Sequence, residues 1–93
     1  MFIDIGNGTI IQTSKIIAMI DYELVSSSGL LKEMEEKAKE TNILIDRSDD
    51  ETKSLIVTTE SVYLSSLSVP TLKKRTSVKA ALKNLEDYSE STF

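Results

Sequence analysis

Lys73, Lys74 and Arg75 stand side by side at the end of "VYLSSLSVPTLKKR". Three adjacent cations with serine and threonine hydroxyls nearby could meet the phosphate oxygens of a nucleic acid, the hydroxyls adding hydrogen bonds. Neighbouring residues on a helix point about 100° apart, so the same run also serves as a plain solvated face. Both uses stay open on the residues alone. The surrounding charge makes the cluster distinctive. The chain of 93 residues has a net charge of −4, which opposes unspecific nucleic-acid binding. From Asp21 to Glu60 there are eleven acids against five bases, whereas Ser61 to Leu85 holds five bases (Lys73, Lys74, Arg75, Lys79, Lys83) and no acid. The charge is segregated along the chain.

Other candidate chemistry is thinner. "IGNG" lacks the long spacing, the Lys-Ser/Thr ending and the following helix of a phosphate loop, and suits a hairpin turn. Asp49, Asp50 and Glu51 lie together, but without the alternating ligands and central glycine of a calcium loop they suit a solvated connection. Asp4 and Asp21 are both carboxylates near strand ends, with no partner nucleophile, and suit turn or edge roles. The chain has no cysteine and no histidine. That removes disulfides, thiolate chemistry, Cys-based metal sites and the usual general base. The expectation is a non-enzyme with no metal, no cofactor and no small-molecule substrate.

The elements that would carry these residues form a small α+β domain. "FIDI" and "TIIQ" flank "GNG", a β-hairpin over residues 2–12. "KIIAMIDYEL", Lys15 to Leu24, is short and β-branched and reads as a buried third strand. Serine caps precede "GLLKEMEEKAKET", a central surface helix with Leu30, Leu31, Met34 and Ala38 at helical spacing. Glu33–Lys37 and Glu35–Lys39 are placed for i,i+4 pairing on its wet face. "NILID", "SLIVTT" and "VYLSSLS" read as a meander of antiparallel strands over 42–68, with Val62, Leu64 and Leu67 inward and Tyr63 on the other side. Ser68 caps a helical turn with Pro70 near its start. Residues 76–88 read as a further helix presenting Val78, Ala81, Leu82 and Leu85, and "SESTF" as a frayed tail. Leu72 falls off that stripe, so a break is expected near Arg75 and Thr76. The whole is a single domain over 1–93, with its core in 1–76 and a C-terminal helix and tail in 77–93.

A chain this short buries a little over roughly 60% of its unfolded surface on folding, so self-association is a natural way to bury more. No stretch of 18 apolar residues is present, and "MFIDIGNGT" puts an acid where a signal peptide needs bases. A cytoplasmic protein with no membrane partner is expected.

"FIDIGNGTIIQTSKIIAMID", a central helix and "SLIVTTESVYLSSLSVPTLKKR" together resemble, in order and spacing, the RemA/RemB regulators of extracellular-matrix (biofilm) genes. The resemblance covers about residues 1–76, no single short motif in it is diagnostic, and "LSSLSVPTLKKR" is most like the RemB branch. It implies a cytoplasmic bacterial protein with a LytTR-like fold that assembles into rings and, in the RemA branch, activates transcription by binding DNA. It also implies that DNA is held there by one arginine at the start of the third strand and a pair in the loop before the next strands. Lys15 stands at the first position, keeping the charge without the planar fork. Asp50 and Glu51 align with the pair and reverse its charge, and Lys53 is the next base. Two expectations follow. Either the ring binds DNA through Lys15, Lys53, Lys73, Lys74 and Arg75, or it has lost DNA and serves protein partners, the acidic helix of one copy facing the basic turn of another.

Overall fold

Two strands and a tight turn open the chain because Asn7 and Gly8 can both take positive φ, at 55° and 73°. With Thr9 N–H donating to Gly6 O at 3.0 Å, they form the primed turn that matches the twist of a hairpin. Strand β1 (Phe2–Asp4) thereby pairs antiparallel with β2 (Ile10–Gln12), Ile3 opposite Ile11. The structure is a computed structural model that describes residues 1–76. Beyond its first residue, the expected helix over 76–88 lies outside the described residues, as do its stripe and the tail.

A single 3₁₀ turn at Thr13–Lys15 leads into β3 (Ile16–Asp21). The strand stops earlier than its apolar run suggests. Asp21 Oδ1 accepts from Glu23 N–H at 2.9 Å and caps a short helix, α1 (Tyr22–Ser27). The extended reading of Tyr22 to Leu24 is therefore corrected: a side-chain cap outweighs the β-leaning composition. Ser28 Oγ then accepts from Leu31 N–H to start α2 (Gly29–Glu40). The remaining elements are β4 (Leu44–Asp46), β5 (Ser54–Thr58), β6 (Val62–Ser65) and a helix α3 that occupies residues 69–76 of the described chain.

The second sheet has the order β3-β5-β6-β4. β5 pairs antiparallel with β3 and with β6, but β4 pairs parallel with β6, Leu44 opposite Val62. The expected meander is thus half right: β4 does not lie beside β5, because the long 47–53 connection carries the chain from one edge back to the sheet's centre.

Alternation along the strands divides the apolar residues between the sheet's two faces. On one face Ile3, Ile5 and Ile11 of the hairpin segment pack with Ile56, Leu72 and the half-buried Ile16, Met19, Tyr63 and Leu67. On the other, Val25 of α1 and Ala38 of α2 pack with Leu55, Val62 and Leu64. Leu67 thus joins Tyr63's side, not that of Val62. Leu31, Met34 and Ala38 form the buried stripe of α2, while Leu30 is 76% exposed. Ser65 links hairpin and sheet, its buried hydroxyl donating to Ile5 O and accepting from Leu67 N–H.

Candidate nucleic-acid interface

The basic cluster is set by one apolar anchor. Ser68 Oγ accepts from Thr71 N–H at 3.3 Å and caps α3, and Leu72, fully buried against Ile3, Ile5 and Ile56, fixes the helix's rotation. The next two side chains then turn away from the core by the 3.6-residue period. Lys73 and Lys74 are both exposed. Neither has an ion-pair partner among the described residues. Arg75 is committed differently. Its Nη1 donates to Asp4 O at 2.7 Å, clamping α3 to the end of β1. Nothing in the sequence signals that bond, since the acceptor is a backbone carbonyl seventy-one residues away.

Lys15 ends the 3₁₀ turn immediately before β3, at the position where the resemblance places a base. Its Nζ sits 2.9 Å from Glu60 Oε1 in an exposed pair, and its carbonyl accepts from Thr59 N–H. Glu60, in the β5–β6 turn, is a partner that local sequence reasoning misses. Lys53 stands at the other end of β5, its carbonyl accepting from Tyr22 N–H. The five residues of β5 lie between positions 53 and 59, six steps or about 20 Å at ~3.3 Å per residue. The five predicted contacts therefore do not form one patch.

Lys53 lines an open cleft of about 420 Å³ with Asp21, Tyr22, Glu23, Ser26, Glu51, Thr52 and Ser68, where carboxylates outnumber it. Asp50 and Glu51 are exposed in the β4–β5 loop. The start of that loop is ordered by Asp46, whose Oδ1 accepts from the Ser48 hydroxyl and from Ser48 N–H. Those two bonds, the hydroxyl's first, hold the Asp46 carboxyl below its ordinary value. Asp4 and Asp21 each bond a backbone N–H two residues on, which is the local turn role their positions suggest. Glu33–Lys37 and Glu35–Lys39 do not close to ion-pair distance. Glu35 instead accepts from Tyr22 Oη at 2.9 Å. Among the described residues no group of three or more acidic, histidine or cysteine side chains is placed to hold a metal ion.

An acid-free α3 presenting two outward lysines is therefore the feature that distinguishes the surface. Residues 2–76, β1 through α3, match the model of the RemA-like family, described as extracellular matrix regulatory protein A-like. The chain belongs to the RemA-like family. It is also similar to a protein of Thermodesulfovibrio yellowstonii, 34% identical over 77 residues that cover 81% of this chain and 86% of that one. The relative is named for a regulatory role. In this RemA-like chain the matched region includes residues 69–76 of α3, so Lys73 and Lys74 fall inside the shared segment. No helix among the described residues is long and apolar enough to cross a membrane.

Proposed function

We propose that this chain is a non-enzymatic, ring-forming, DNA-binding transcriptional regulator of the RemA/RemB type. It acts in the cytoplasm on genes of the extracellular matrix, with self and DNA as its partners. The observation that carries the proposal is the α3 turn, where a buried Leu72 holds Lys73 and Lys74 outward with no acidic partner among the described residues, in a chain matched to a regulatory family. The lysines contact phosphates, and Arg75 adds its remaining guanidinium donors while one stays on Asp4 O. Repetition around a ring sums the small charge of each copy. Phosphate contact of this kind reads DNA shape more than sequence.

Retardation of a generic duplex, titrated against salt, tests it. The wild-type chain retards DNA at low salt and releases it steeply as salt rises. In Lys73→Glu/Lys74→Glu affinity drops, and the slope of log K against log salt falls by about two, one per lost phosphate contact. No retardation at low salt, or an unchanged slope in the variant, counts against the proposal. A second function is favoured by the exposed Asp50 and Glu51 and by Glu60's hold on Lys15. The ring then serves a protein partner, and reversing Lys73, Lys74 and Arg75 lowers oligomeric mass in the absence of DNA.

A further inference from the structure

The outer face of the hairpin is apolar where a solvated face would be polar. Alternation turns Ile3 and Ile11 toward the core and puts Phe2 and Ile10 on the other side, where Ile10 is 64% exposed. Both line an open groove of about 230 Å³, together with Ile11, Tyr63 and the Lys15–Glu60 pair. The described chain ends beside this face. Arg75 donates to Asp4 O, and Asp4 stands opposite Ile10 in the hairpin ladder, so the chain passes the end of β1 next to Ile10. At that point Thr76 Oγ1 donates to Leu72 O at 3.1 Å, a back-bond of the kind that bends helices.

Residues 77–93 follow, beyond the 2–76 matched to the family. In "SVKAALKNLEDY", Val78, Ala81, Leu82 and Leu85 recur at helical spacing. A lone helix of about twelve residues is marginal in water, and its stripe needs a surface to cover. Leu72, buried in the core, falls roughly 130° off that stripe at 100° per residue. The stripe therefore needs a surface other than the core that holds Leu72. We infer that residues 77–88 turn back at Thr76 and pack as an amphipathic helix on the hairpin's outer face, the stripe filling the groove between Ile10 and Tyr63. Such a helix is about 18 Å long at a rise of ~1.5 Å per residue, enough to cover the roughly 15 Å of strand and 3₁₀ turn from Ile10 to Lys15. Its direction follows from where it starts, by Asp4 and Ile10, so its far end lies by Lys15. Lys79 and Glu86 share one flank, two turns apart. In this direction Lys79 comes beside Asp4 and Glu86 beside Lys15, with opposite charges meeting at both ends. The inference rests on neither the DNA reading nor the ring.

The chain has no cysteine, so Ile10→Cys/Leu82→Cys introduces a single pair of thiols. Oxidised with copper phenanthroline, this variant is expected to close a disulfide within one chain, seen as a faster band on a non-reducing gel. Ile10→Cys/Lys83→Cys, its second thiol turned off the stripe, is expected to stay open. Equal closure in both variants, or in neither, overturns the inference. A bond that forms only between chains, when Ile10→Cys and Leu82→Cys are mixed as single variants, places the segment on a neighbouring copy and overturns it too. Independently, amide exchange in the wild type is expected to show protection across residues 77–88. Leu82→Glu/Leu85→Glu is expected to abolish it and to speed exchange at Ile10–Gln12, with the light-scattering mass unchanged. Unprotected amides over 77–88 in the wild type, or a mass that falls in the variant, reject the packing.

Discussion

Leu72 is the residue on which the proposed interface depends, because its complete burial sets which α3 side chains face solvent. Leu72→Ala is expected to lower stability by about 2–5 kcal/mol, the range for truncating a buried leucine, read as a drop in thermal midpoint. DNA retardation should fall with it. Arg75→Ala separates clamp from contact. It removes the bond to Asp4 O and should loosen α3, seen as faster amide exchange across residues 69–76 with the hairpin largely unaffected. Asp46 supplies a pH signature. Its carboxyl is held low by the Ser48 hydroxyl and then by Ser48 N–H, so the charged form is the one the fold favours. The resulting stability is present above the ordinary aspartate value of about 3.9 and is lost as pH falls through the lower folded value. The difference in thermal midpoint between wild type and Asp46→Asn should be constant near neutrality and shrink only in that acid range. A difference that opens at alkaline pH would contradict the assignment.

At the scale of elements, what the sequence shows and what it hides divide by range. The hairpin was legible because Asn7-Gly8 demands a primed turn, and α2 because Ser28 precedes a run of helix formers. β5, β6 and the Ser68 cap were legible for similar local reasons. α1 was not, since Tyr22 to Leu24 continue an apolar run and only the Asp21 cap breaks it. The parallel β4–β6 pairing was hidden because no local pattern records which strand lies beside which. Of the site, the positions of Lys73 and Lys74 were legible. The capture of Lys15 by Glu60 and of Arg75 by Asp4 O was not, both being contacts between segments far apart in the chain. One such contact joins α1 to α2. Tyr22 Oη donates to Glu35, and burial first, then that bond, raises the phenol above its ordinary value of about 10. Its contribution is present below that value and is lost as pH rises through the folded one. Alkaline absorbance titration should show a tyrosine ionising late that is absent in Tyr22→Phe. An unchanged titration would remove the link.

Among the described residues the four-stranded sheet has a core on each face. The hairpin and α3 cover one face, with Lys73 and Lys74 on α3, while α1 and α2 cover the other and carry Glu23, Glu33, Glu35, Glu36 and Glu40. Ser65 ties the hairpin to the sheet through Ile5 O. Ser65→Ala leaves that carbonyl and Leu67 N–H short of a partner in a buried place, expected to cost about 1–3 kcal/mol by chemical denaturation. On the proposed reading, net negative charge with a local basic turn would make association with DNA depend on many copies acting together, with ionic strength as the natural control. The most direct test is the light-scattering mass of the purified chain at low salt, alone and with a DNA duplex of generic sequence. A multimer that gains mass with DNA and loses the gain as salt rises is the predicted result. A multimer of the same mass with and without DNA would contradict it, and would assign the ring to protein partners.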